Sequence, residues 1–193
     1  MRRLGVWLAA AVVGVAACER VEDAPEPAIR DTTALQPGQP AEDEQVEIQL
    51  MDSAGQQIGV SHLAQEGDGV EVHVRVSGLQ PGSEHGIHFH ETGTCDPPAF
   101  ASAGGHFNPT NAQHGLENPQ GPHMGDMPNI RARADGVADT TFVKPNTRLR
   151  GDTTSLQRSG GLALVVHAQR DDQRTDPSGD SGDRIACGVV RVE

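Results

Sequence analysis

The run GVEVHVRV at residues 69–76 sets valines at 70, 72, 74 and 76 against Glu71, His73 and Arg75. Such alternation puts the valines on one face and the polar side chains on the other, which suits a half-buried strand and no helix. Val46, Ile48 and Leu50 alternate with Glu47 and Gln49 in the same way. Further candidates at 57–64, 84–91, 129–134, 138–142, 162–168 and 186–192 bring the expected strands to eight. No segment carries a sustained helical repeat. With 23 glycines and 13 prolines to make turns, the pattern predicts an all-β antiparallel sandwich or barrel.

Alternation also orients the stretch GIHFHE at 86–91. Ile87 and Phe89 are natural core residues, so His88 and His90 point to the opposite, outer face. At 162–168 the same count turns Leu162, Leu164 and Val166 inward and Ala163, Val165 and His167 outward. Three imidazoles on two strands are thereby available to one another on what this reading takes to be the barrel's outer surface.

The N-terminus has a different character. Arg2 and Arg3 precede a 14-residue apolar run, Leu4 to Ala17, and then Cys18. That run is too short to span a bilayer as a helix and has the length of a signal-peptide apolar region. Its end, VAAC, resembles the lipobox of bacterial lipoproteins, which predicts removal of 1–17 and lipidation of Cys18. Ordinary cleavage after Ala17 also satisfies the small-residue rule; the position of the lone N-terminal cysteine favours the lipoprotein. Glu19 stands where an aspartate would resemble an inner-membrane retention signal, which points to the outer membrane. Residues 18–44 read as the lipidated cysteine and an acidic, proline-rich tether. From 19 to 44 there are eight acidic residues, two arginines and four prolines, a composition that buries too little surface to offset its ordering entropy. As a coil this segment reaches on the order of 30 Å. The folded domain is expected over 45–193.

With Cys18 assigned to lipid, Cys95 and Cys187 remain, an even pair in an exported chain, and a disulfide is the default. Formal charge is −12 for the whole sequence, with −6 on 19–44 and −8 on 45–193. No basic stripe exists to neutralise phosphates, so nucleic acid is not an expected partner.

Between the fourth and fifth expected strands lie 37 residues, 92–128, with six glycines and six prolines. A loop of that length needs something to order it. Cys95 offers one anchor; His106, His114, His123 and Asp126 offer others. Three histidines and an aspartate suit tetrahedral zinc with arms of about 2.0–2.2 Å. His88, His90 and His167 with one more imidazole make a four-nitrogen field that suits copper(II).

GIHFHETGTCDPP, GGHFNP, QHG, HMGDMPN, LVVHAQRDD and GDRIACGVVRV occur in that order. Together they resemble copper–zinc superoxide dismutase of the bacterial exported type, over most of 45–193. The resemblance implies an eight-stranded antiparallel Greek-key β-barrel with long metal-binding and electrostatic loops, holding one copper and one zinc per subunit. It implies dismutation of the superoxide anion to oxygen and hydrogen peroxide, protecting the cell envelope from extracytoplasmic superoxide. Position by position, His88, His90, His106 and His167 match the copper ligands. His106, His114, His123 and Asp126 match the zinc ligands, with His106 as the bridging imidazolate that can also supply a proton. Asp171 matches the carboxylate that accepts from histidines of both sites, Arg184 the arginine that attracts and orients superoxide, and Cys95–Cys187 the intrasubunit disulfide. The membrane enters as a partner through the N-terminal lipid, and a homodimer and a monomer both stay open.

Other classes of function fit less well. A copper or zinc buffer would keep the ligands but need no oriented arginine, and a zinc hydrolase would need an open zinc position and a nearby base. Arg170 and Arg174 compete with Arg184 for its role; the position three residues before Cys187 favours Arg184. His73 reads as a solvated surface residue, His85 as a hydrogen-bonded structural one, and His62 has no partner pattern. Bacterial relatives often carry lysines near the copper channel, whereas this chain has only Lys144. Attraction of the anion therefore falls to copper and local arginines acting as a focused patch.

Overall fold

A computed structural model describes residues 45–191. The expected signal segment, Cys18 and tether lie outside the described residues.

β1 (Gln45–Asp52), β2 (Gln57–Glu66) and β3 (Gly69–Val76) form a meander of antiparallel hairpins. The first turn is organised by Asp52, whose carboxylate accepts the N–H groups of Ala54 and Gln56, an Asx arrangement that imitates a backbone turn. The expected strand at 84–91 is interrupted at Gly86 and becomes β4 (Glu84–His85) and β5 (Ile87–His90). The reason is a change of partner. His85 pairs with Ile130 of β6 (Ile130–Arg131), Gly86 N–H donates to Gln169 O, and Ile87 onward pairs with β8 (Leu162–His167). β7 (Ala138–Lys144) and β9 (Arg184–Val190) complete nine segments, one more than the expected eight. Seven of them make one curled antiparallel sheet in the order β5-β8-β9-β1-β2-β3-β7, and β4 pairs with β6. Among the described residues the helical structure is one 3-10 turn, Ala101–Ala103.

The inward faces make the core: Val46, Ile48 and Leu50 of β1, the four valines of β3, Ile87 and Phe89 of β5, and Leu162, Leu164 and Val166 of β8. Fully burying an aliphatic side chain of this kind is worth about 1.5–3 kcal/mol, so one-residue slips of these strands are strongly disfavoured.

The outer face of β5 and β8 differs from the expectation. It is not solvent-facing: His88, His90 and His167 are 0%, 1% and 3% exposed. The 92–128 segment folds back over β5. Phe107 N–H donates to Phe89 O, Gly125 N–H to Phe107 O, and Phe89 N–H to Gly125 O. The approach is close enough that a Cβ on Gly125 would lie 2.2 Å from Phe89 O. Beside the histidines, Ala163, Val165 and Cys187 pack with Phe100 and Ala103 in a second apolar cluster. The Cys95–Cys187 disulfide, joining residues 92 positions apart in sequence with Cα atoms 5.7 Å apart, ties the start of that segment to β9. Closing a loop of this size contributes up to about 4–5 kcal/mol in the chain-entropy description.

Candidate metal centre

His88 and His90 alternate with core residues on β5, and His167 ends β8 after a register shift at Val166. His106, His114, His123 and Asp126 come from the folded-back segment, held to β5 by isolated bridges between His88 and Asp126 and between His90 and His106. These residues form two sets, His88–His90–His106–His167 and His106–His114–His123–Asp126, with His106 common to both. All of them are buried.

Backbone and carboxylate partners determine which nitrogen each imidazole turns into the site. His90 Nδ1–H donates to Gly104 O at 3.0 Å, and His167 Nδ1–H donates to Gly182 O at 3.1 Å. In the neutral rings both Nε2 atoms then carry lone pairs, and they face each other at 3.4 Å. His88 Nε2–H donates to Asp171 Oδ2 at 2.6 Å, leaving Nδ1 buried without a partner. His106 Nε2 is the other ring nitrogen buried without one. Converging lone pairs and orphaned buried nitrogens are costly unless a cation joins them. The arrangement fits a metal held by four imidazoles.

The second set fits as well. Nδ1 of His106, His114 and His123 lie 2.9, 3.1 and 3.3 Å from Asp126 Oδ1, and those of His106 and His123 are 3.5 Å apart. A tetrahedron with arms of about 2.0–2.1 Å has edges of about 3.3–3.4 Å, so these separations bracket it. Asp126 Oδ2 is occupied by the N–H groups of Gly115 and His123, which leaves Oδ1 for the set.

Asp171 joins the halves. Besides its bond from His88, its Oδ1 lies 3.1 Å from His114 Nε2, and both Asp171 and His114 are 0% exposed. Asn129 braces it from both sides, donating to Asp171 O and accepting from Asp171 N–H. The 168–183 segment that carries Asp171 is pressed onto the 92–128 segment, and Gly115, at φ +108°, is what permits it. A Cβ there would stand 2.1 Å from Gln173 O.

The electrostatics separate the two sets. Burial pushes His88 down to about 3 and His167 down to about 4, against the opposing pull of Asp171 and Gly182 O. Burial also lowers His90 well below the ordinary value. These rings are neutral at pH 7 and have no proton to expel before taking a metal. His114 behaves oppositely: burial lowers it, but hydrogen bonds to Asp126 and Asp171 outweigh burial and raise it to about 9. Its proton then stands between two carboxylates where a divalent cation would otherwise supply the charge. Burial works against ionisation of Asp126 and Asp171, yet their histidine and backbone donors hold both well below the usual carboxylate range.

A cleft of about 540 Å³ opens over the first set, lined by His90, His106, His167, Asn108, Asn111 and Arg184. Arg184 is fastened in its wall, donating from Nη1 to Phe100 O and from Nη2 to Gly104 O, each at 2.6 Å. Arg170 and Arg174 pair instead with Glu84 and Glu117 on the surface.

Residues 57–190 match the family described as copper/zinc superoxide dismutase (SODC). The chain belongs to the copper/zinc superoxide dismutase family. It is 43% identical over 152 residues to superoxide dismutase [Cu-Zn] 2 of Aquifex aeolicus, an alignment spanning 78% of this chain and 89% of that protein. The crystal structure of a dismutase-like protein from Bacillus subtilis superimposes with a TM-score of 0.72 at 40% identity, covering 75% of this chain and 97% of that one. The Cu/Zn superoxide dismutase of Brucella abortus gives 0.63 at 32% identity, covering 76% and 99%.

Against that family background, several contacts had no legible sequence signal. Gly104 and Gly182, whose carbonyls orient His90 and His167, open the motifs GGHFNP and GDRIACGVVRV, but nothing in the letters assigns a role to their carbonyls. Asn129 begins the expected strand at 129–134 with no role assigned to it, and Asp176 lies in none of the quoted motifs; Asp176 Oδ1 accepts His114 N–H at 2.7 Å. The sole lysine is buried and donates from Nζ to Asp126 O at 3.0 Å. His85 bonds to Ser83 Oγ and His167 O, as a structural histidine should. His62 does have a partner: its ring stacks on that of His73, centroids 6.0 Å apart, while His73 pairs with Asp139.

Proposed function

We propose that this chain is a superoxide dismutase that holds copper in the His88–His90–His106–His167 set and zinc in the His106–His114–His123–Asp126 set. The observation that carries the reading is the shared ring. His106 turns Nδ1 to one set and leaves Nε2 orphaned in the other, as an imidazolate bridge between two cations requires. Copper held there would supply one-electron redox chemistry, accepting an electron from one superoxide and giving it to a second. The protein's residues do the rest. Arg184 places a positive charge in the wall of the cleft that ends at His90, His106 and His167, attracting the anion and orienting it. His106 Nε2 is the atom at which the chain can hold a proton for peroxide formation. The carbonyls of Gly104 and Gly182 and the Asp171 carboxylate keep the other rings from turning, which preserves the geometry between turnovers. The zinc set offers four protein ligands and no open position, so its role is to hold the shared ring and the loop.

The disulfide, the apolar N-terminal run and the VAAC sequence support an exported protein: residues 1–17 removed, Cys18 lipidated, 18–44 a tether from the membrane, and 45–193 the enzyme in the periplasm. Glu19 favours the outer membrane, and removal of extracytoplasmic superoxide is the role that follows.

The test is to load the full chain with copper and zinc, measure the content of each, and follow superoxide decay directly by pulse radiolysis with and without cyanide. One copper and one zinc per chain with cyanide-sensitive acceleration supports the reading. Bound copper with no acceleration would make the protein a metal buffer instead.

A further inference from the structure

A histidine presents one nitrogen to a metal reliably only when its other nitrogen is held. Asp171 holds His88 and His114, Gly104 O holds His90, and Gly182 O holds His167. His106 turns both nitrogens into the site. His123 is the remaining ring: its Nδ1 faces Asp126 Oδ1, and 3.6 Å from its Nε2 stands Asp176 Oδ1. The same oxygen accepts the main-chain N–H of His114 at 2.7 Å. One carboxylate atom thus bonds the backbone of one member of the second set and stands beside the outer edge of another.

The placement of Asp176 is over-determined. Asp172 accepts the N–H groups of Arg174 and Thr175, and Gly179 N–H donates to Thr175 O, which shapes the turn. Glu117 N–H donates to Gln173 O and Asn118 Nδ2 to Arg174 O, which registers that turn against the 113–118 stretch. Arg174 and Glu117 close the seam with an ion pair at 2.6 Å.

We propose that Asp176 is a positioning residue for the second set, anchoring the His114 main chain by its hydrogen bond and bordering the outer edge of the His123 ring, so that both Nδ1 atoms stay aimed at Asp126 Oδ1. The proposal rests on the reading of that set as a zinc site. Because the Asp176 side chain is 49% exposed, solvent screens its charge, and position matters more than attraction for the cation.

Zinc affinity measured on the full chain without copper, by competition with a chelator of known strength, tests it. Asp176→Ala is expected to loosen zinc by about 10–100-fold, the range for outer partners of metal ligands. Asp176→Asn keeps an oxygen for His114 N–H and loosens zinc by less. Cobalt(II) in place of zinc reports geometry through its visible absorption, which changes in Asp176→Ala. Urea midpoints of the metal-free variants separate positioning from folding, and that of Asp176→Asn stays at the wild-type value. Wild-type zinc affinity in both variants overturns the inference alone, as does a loss that merely tracks lost metal-free stability. A wild-type chain that takes up no zinc overturns the zinc reading and the inference together.

Discussion

His88 Nε2 donates to Asp171 Oδ2 at 2.6 Å across 83 positions of sequence, with both side chains fully buried. Through the other oxygen Asp171 also reaches His114, so one carboxylate orients a ring in each set.

Removing it has a two-sided consequence. Asp171→Ala is expected to weaken copper and zinc binding together, each by about 10–100-fold. Competition titrations with each metal alone measure this. A loss confined to one metal would mean that Asp171 serves only one ring.

Arg184 and the two surface arginines make a contrast. Arg184→Glu reverses the charge beside the cleft and is expected to lower kcat/KM at least about tenfold, since focused charge changes encounter rates by 10–10³. Gly104 O accepts both Arg184 Nη2 and His90 Nδ1, so copper content must be measured alongside. Arg170→Ala and Arg174→Ala remove exposed pairs and leave the rate within about twofold, because such pairs act weakly. An unchanged rate in Arg184→Glu at full copper loading would remove that residue from its role.

The disulfide joins the covering segment to β9 next to Phe100, whose carbonyl also receives Arg184. Cys95→Ser with Cys187→Ser is expected to cost about 2–5 kcal/mol of stability. Urea unfolding of the metal-free protein measures it, and an unchanged midpoint would show that the apolar cluster alone holds the segment.

Metal-free stability should peak near pH 6.5–7. His88 and His167 lie at about 3 and about 4 in the fold against about 6.5 unfolded. As pH falls below 6.5 the unfolded chain binds protons first, and stability drops. The depressed Asp126 and Asp171 add to that loss below about pH 4. His114 works the other way. Raised to about 9, it contributes fully below about 6.5, and the contribution fades as pH rises through 9. Urea midpoints at pH 4.5, 6.7 and 9.5 would show the maximum, and a flat profile would contradict it.

Period-two alternation needs no tertiary information, because a strand's side chains alternate whatever it pairs with. It therefore separated Val70, Val72, Val74 and Val76 from their polar neighbours and set Ile87 and Phe89 opposite His88 and His90. It could not say what lies above the outer face. His88 and His90 were expected at the surface and are buried, because their cover is a glycine- and proline-rich segment with no periodicity of its own. The break at Gly86 has no sequence signal for a related reason: strand pairing changes there, and partner choice leaves no local mark.

The order of side chains along the chain determined which face each strand turns to the barrel core, and the spacing of histidines and aspartates marked the residues that gather at the site. Only the tertiary structure decided how those histidines point. Each ring's orientation depends on an oxygen from a distant segment: Gly104 for His90, Gly182 for His167, Asp171 for His88. A main-chain carbonyl is present at every position of any sequence, so nothing in the letters distinguishes the few that the fold brings within hydrogen-bond reach of an imidazole.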